Sequence, residues 1–227
     1  MIGILNIETV ELLIDIVAAA ILVTAFLIVS SRSLVFYIRL FALQSLLLGV
    51  VAVLVVLGYG ETHILIAAVL TIVVKAIVIP HVLARIIDRI HVRKEIDLSI
   101  NISASLLLCG GMVILADSVA QSILSAPRAA DVSAVSRVLS VSIAMMLIGL
   151  FIMTTRKKAL TQIVGLLTME NGVFLSGLSI THGMPLIVEV GIFFDILVAV
   201  LILGVFVFRI NKTFESISID ALRSLRH

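Results

Sequence analysis

The sequence predicts an all-α protein, a polytopic membrane bundle of about seven transmembrane helices with its N-terminus outside and its C-terminus cytoplasmic. Three observations predict it. Of the 227 residues, 62% are hydrophobic and only 13% are charged, whereas a soluble domain runs nearer to about 45–50% apolar and about 25% charged. The apolar residues fall into seven runs, most near the roughly 20 residues that a spanning helix needs. Lysine and arginine gather in alternate connections, which is the asymmetry that sets orientation.

The runs are Val10–Val29, Leu34–Leu57, His63–Ile87, Leu98–Ala116, Val132–Thr154, Leu160–Ile180 and Pro185–Phe208. A backbone in hydrocarbon must satisfy its own hydrogen bonds, so each run is read as a helix. The short period-two segments of a barrel are not seen. Glu8, Glu11 and Asp15 stand where a secretory signal carries positive charge, so the first run is read as a retained helix. Ser30-Ser31-Arg32-Ser33 separates it from the second, and Gly58-Tyr59-Gly60 separates the second from the third. In the third, Pro80 removes a backbone donor and is expected to bend the helix just past Lys75. The charged stretch 88–97 and the stretch 117–131 bound the fourth run; Arg156-Lys157-Lys158 and Gly183-Met184-Pro185 divide the last three. Ser136, Ser140 and Ala144 repeat every four residues and suggest a close-packing face on the fifth.

The chain reads as one transmembrane domain, 1–227: three helices and a connector (1–97), a spacer helix (98–131), and three final helices (132–227). The connector Asp88–Asp97 alternates in sign, and the tail 217–225 is weakly amphipathic. Both suit a membrane surface or a neighbouring subunit. A faint parallel repeat lays Ser33–Ser45 over Ala159–Asn171, which places Gln44 over Glu170; after a shift in the next loop, Lys75 lies over Asp195.

Arg32, Arg85, Arg89, Arg93, Lys94, Arg156, Lys157, Lys158, Arg209, Lys212, Arg223 and Arg226 fall on one side, against Arg128 and Arg137 on the other, a bias of 12 to 2. The pI of 8.9 reflects these cations, not an affinity for nucleic acid. Cys109 is the sole cysteine, which excludes an internal disulfide or a four-cysteine iron–sulfur site. His63, His81, His91, His182 and His227 lack ligand spacing for zinc. No cofactor or metal is expected in this chain.

Ionisable groups deep in a bilayer are expensive, and function is their default reading. Lys75 lies about twelve residues into its run, and Glu170 and Asp195 about ten into theirs. At about 1.5 Å per residue, all three sit roughly 15 Å deep, near the midplane. Desolvation disfavours the charged form of each, and pairing favours it, so a change on one alters the proton affinity of the next. The three are candidate members of a proton relay; the alternative is a static ion pair that pins helices together. Gln44, Thr71, Gln162 and Asn171 are candidate supports, and His81 could extend a path toward the cytoplasm. Glu189 and Asp15 lie nearer the outer boundary and are read first as structural, with Glu189 kept as a possible support.

With those residues placed, the chain resembles the hydrogenase-4 component E family of membrane subunits. The resemblance is densest at Val74-Lys75-Ala76-Ile77-Val78-Ile79-Pro80, at Gln162-Ile163-Val164-Gly165 through Met169-Glu170-Asn171-Gly172, and at Val188-Glu189-Val190-Gly191-Ile192 followed by Asp195, with a tail near Ser218-Ile219-Asp220-Ala221-Leu222. The last three helices are also similar to the complex I K subunit and the antiporter C subunit, with Glu170 at the intramembrane glutamate and Asp195 only approximately at the second. The resemblance implies a subunit of a group 4 nickel–iron hydrogenase or formate hydrogenlyase complex in a bacterial or archaeal cytoplasmic (inner) membrane. It would sit beside antiporter-like subunits, with the nickel–iron centre and iron–sulfur clusters in partner subunits and no catalytic residue of its own. The relay would carry protons or sodium. The alternatives are a structural scaffold in the same assembly, a cation antiporter subunit, or a stand-alone secondary transporter, whose folds commonly show inverted repeats.

Overall fold

The computed structural model describes residues 6–59, 65, 68–69, 71–90, 100–124 and 132–181, and among them every regular element is helical and none is a strand. The elements are α1 (Ile7–Ser30), α2 (Leu34–Tyr59), a π-helical segment (Thr71–Val78) that runs into α3 (Ile79–Ile90), α4 (Ile102–Leu124), α5 (Val132–Thr155) and α6 (Ala159–Thr181). By length and composition, four helices among the described residues can cross a membrane: Ile7–Ser30, Leu34–Gly58, Ile102–Ile123 and Ser136–Thr155. The seventh apolar run, with Glu189 and Asp195, and the C-terminal tail lie outside the described residues.

Local chemistry sets the ends of these helices. Ser31 leaves the helical region (φ −75°, ψ 146°) while its N–H still donates to the carbonyls of Leu27 and Ile28. The Ser33 N–H then donates to the Ser31 hydroxyl at 3.3 Å, and α2 begins at once. A turn this short makes α1 and α2 antiparallel neighbours. Inside α1, the Thr24 hydroxyl donates to the Ile21 carbonyl at 2.6 Å, so burying it leaves no unmet donor.

The third helix departs from an ordinary α-helix where the sequence puts Lys75. Residues Thr71–Val78 are π-helical and α geometry resumes at Ile79. Pro80 has no N–H with which to close an α-helical bond back to Ala76, and the irregular stretch lies just before it. The helix continues through Asp88 and Arg89 to Ile90, so the charged connector starts later than the sequence suggests.

The fourth helix also outlasts its apolar run, continuing past Ala116 to Leu124. Its polar residues satisfy one another locally. Gln121 donates to Asp117 at 2.7 Å, and the Ser118 and Ser122 hydroxyls donate to carbonyls four residues back. Asp117 also accepts from Ser140 of α5 at 3.0 Å. Ser140 therefore faces α4, and the close packing of α5 runs along another stripe. A Cβ on Gly149 would lie 2.5 Å from the Met169 nitrogen, one on Gly165 would lie 2.9 Å from the Gly149 oxygen, and one on Gly172 would lie 2.8 Å from the Ser142 oxygen. The two backbones touch, and only glycine fits.

Buried apolar residues form two cores. One gathers Ile28 and Val29, Tyr37 and Phe41, Leu83 and Ile87, Ile148 and Ile152, and Ile163 and Leu167. The other gathers Ile14 and Ile21, Leu48 and Val51, Val138 and Met145, and Phe174 and Leu178. Each of α1, α2, α5 and α6 contributes to both. The side chains of α2 and α6 that are buried between the two cores, and those buried on the π-helical segment beside them, are polar: Gln44, Ser45, Thr168, Glu170, Asn171, Thr71 and Lys75.

Candidate functional site

Gln44 and Ser45 on α2, Lys75 on the π-helical segment, and Glu170 and Asn171 on α6 are all buried in that intermediate layer. The Lys75 ammonium lies 2.9 Å from Glu170 Oε1, with side chains only 2% and 4% exposed. Lys75 Nζ also donates to Asn171 Oδ1 at 3.5 Å, and it stands 5.8 Å from the centre of the Phe174 ring, within cation–π range. Asn171 in turn donates to Gln44 Oε1 at 3.2 Å and to Ser45 Oγ at 3.3 Å. Asn171 and Ser45 are 126 residues apart, the offset of the faint repeat, so the bond joins equivalent positions of α2 and α6.

Gln44 is ten residues beyond Leu34 and Glu170 is eleven beyond Ala159, each roughly 15 Å into its helix. The cation keeps three stabilising partners: a carboxylate, an amide oxygen and an aromatic face. Two of the three remain if the carboxylate takes up a proton.

Of the residues singled out from sequence, Lys75, Glu170, Asn171 and Gln44 therefore meet in one cluster. Thr71 is buried four residues before Lys75 on the π-helical segment. Gln162 does not join them: it is exposed, and its side-chain amide donates to the Arg156 carbonyl at 2.9 Å, closing the α5–α6 connection. His81 is exposed and lies in a groove described below. Asp15 pairs with Arg137 between α1 and α5, Oδ2 to Nη2 at 2.6 Å, a structural link as expected. Glu189 and Asp195 lie outside the described residues. Among the described residues, no group of three or more His, Cys, Asp or Glu side chains is placed to hold a metal ion.

Sequence reading missed Ser45 and Phe174, whose types are ordinary in a membrane helix. It also placed Arg156 among the solvated loop cations. The structure buries it to 1% exposure, with Nη2 donating to the Val29 carbonyl at 2.7 Å. Val29 belongs to the last turn of α1, where carbonyls lack helical partners and the helix dipole is negative. Its other neighbours include Tyr37 and Cys109, and Nε and Nη1 have no hydrogen-bond partner among the described residues.

A protein of Mycobacterium tuberculosis (strain ATCC 25618 / H37Rv), described as "Uncharacterized protein Rv0085", is 31% identical over 217 residues, which cover 95% of this chain and 97% of that one. The likeness runs from end to end rather than over one segment. No family model matches the chain, and no solved structure matches it.

Proposed function

Starting from the fact that this chain belongs to the same family as the mycobacterial protein, we propose that it is a non-catalytic membrane subunit that carries one step of a cation relay. The observation that carries the reading is the buried Lys75–Glu170 pair, held between two apolar cores by Asn171, Gln44 and Ser45. In this proposal Glu170 takes a proton from one neighbour and passes it to the next, while Asn171 and the Phe174 ring hold the Lys75 ammonium during the neutral interval. Asp195, with Glu189 as a possible support, is the candidate that continues the path toward a partner.

The wider setting follows the resemblance set out from the motifs. We place the chain in a bacterial or archaeal cytoplasmic membrane as seven spans, N-terminus out and C-terminus in. It is a subunit of a hydrogenase-type, complex I-like assembly, beside antiporter-like subunits, with nickel–iron and iron–sulfur centres in its partners. The positive-side bias and the midplane depth of the pair support this placement.

The test is Glu170→Gln in the assembled complex, with proton translocation followed in inverted membrane vesicles. Coupled translocation is expected to fall while the co-purifying subunits stay unchanged. Full coupling in an intact complex would overturn the relay. A second reading, a scaffold whose ion pair only pins α6 to the third helix, is favoured by the bonds that Asn171 makes to Lys75, Gln44 and Ser45. It predicts the opposite pattern, assembly lost and coupling per assembled complex retained.

A further inference from the structure

Between α2 and the Thr71–Ile90 helix lies a groove of about 790 Å³. Its walls include Ile38 and Ala42 from one side, and Ala76, Ile77 and Pro80 from the other. Arg39 lines it from α2 and His81 from the other helix, both exposed. The two lie at one level. Arg39 is five residues into α2, about 8 Å from its start, and His81 is six residues beyond Lys75, about 9 Å toward the same end of the bundle. With about 15 Å of hydrocarbon on each side of the midplane, both backbones lie just inside the acyl region, from where a long basic side chain reaches up to the headgroups. None of the lining residues is acidic, and Arg85, one turn past His81, adds a further exposed cation.

A site that is cationic at the headgroup boundary and apolar from there toward the midplane matches the two ends of an anionic amphiphile. Basic pockets between transmembrane helices take anionic headgroups for this reason. We propose that the groove binds an anionic phospholipid, its phosphate held between Arg39 and His81 and one acyl chain lying against Ile38, Ala42, Ala76 and Ile77. Zwitterionic lipid offers the same chain but no net charge. Free phosphate offers the charge but leaves the apolar wall uncovered. The site ends at Ala76, the residue next to Lys75, so bound lipid seals that flank of the buried pair. The proposal does not depend on the relay reading, because lipid binding is measured without translocation.

The test uses the full chain in nanodiscs of phosphatidylcholine alone or with phosphatidylglycerol. Occupancy is counted as one-to-one adducts by native mass spectrometry after release. Unfolding is read from maleimide labelling of Cys109, which is buried in the folded state. Phosphatidylglycerol is expected to be retained over phosphatidylcholine and to raise the unfolding midpoint. Arg39→Gln should weaken its retention by about fivefold, the equivalent of roughly 1 kcal/mol per surface cation, and His81→Gln, which removes an imidazole donor, should weaken it by less. Their midpoints in phosphatidylcholine alone should match the unsubstituted chain, which separates binding from folding. Equal retention of both lipids, undiminished retention in the double variant, or full displacement by millimolar inorganic phosphate would each overturn the proposal.

Discussion

Lys75 and Arg156 are both buried cations in one bundle, and they are held in opposite ways. Lys75 sits between the two apolar cores and faces a carboxylate at 2.9 Å. Arg156 sits at one end, inside the first core, and faces a backbone carbonyl at 2.7 Å. The Lys75–Glu170 pair contains two groups that can change charge. The arginine stays protonated at any working pH, and the carbonyl beside it cannot titrate at all. Burial alone therefore does not mark a relay residue; a titratable partner does. By this criterion Arg156 ties the end of α1 to the α5–α6 turn, and Lys75 is the one of the two that the proposed relay uses.

The comparison breaks most visibly at Glu170. Glu170→Gln should lower coupled translocation by an order of magnitude or more, and leaving Lys75 without its counter-charge should cost about 3–5 kcal/mol of stability. The double change Lys75→Met with Glu170→Leu sharpens the point. It removes both charges, so the Cys109 unfolding midpoint should recover to near the starting value while translocation stays lost. Recovery of translocation in that variant would make the pair merely structural.

Arg156→Met comes next. It strands the Val29 carbonyl and should cost about 1–3 kcal/mol, a fall of roughly 5 °C in the unfolding midpoint. Translocation per assembled complex should hold; its loss would erase the distinction between the two cations. Gln162→Ala, which removes one bond to the Arg156 carbonyl, should cost about 1 kcal/mol and leave translocation alone. A coupling defect there would return Gln162 to the relay. Smallest is Asp15→Asn. Its partner Arg137 is 60% exposed, so the midpoint should move by less than about 0.5 kcal/mol, and a larger drop would mean that this pair carries more of the α1–α5 contact than its exposure implies.

Hydropathy located the helices well, because long apolar runs have few other ways to satisfy their backbones. It failed at ends where polar residues stay helical: Asp117, Gln121 and Ser122 read as a connection, yet they bond within α4 and to α5. The candidate site was legible where a charge interrupts hydrocarbon, as at Lys75 and Glu170. Ser45 and Phe174 left no such mark. Arg156 was rightly read into the connection after α5, but three consecutive cations gave no sign that the first is buried, and only the packing of α1 beside α5 shows it. Arg39 escaped notice for a related reason, since its meaning comes from His81 across the groove. The turn chemistry of Gln162 was invisible as well, because its partner is a backbone carbonyl and not a side chain.

The bare backbone contact at Gly149, Gly165 and Gly172 carries a mechanical consequence. Two helices meshed without a layer of side chains between them have no bearing surface on which to slide. α5 and α6 then move together, and Glu170 is mounted on the fixed part. Lys75 rides on a π-helical stretch whose hydrogen-bond register is already irregular. In the proposed relay, any displacement that accompanies a change of charge at the pair then falls to the lysine's helix, with α5–α6 as the stator and the third helix as the moving arm.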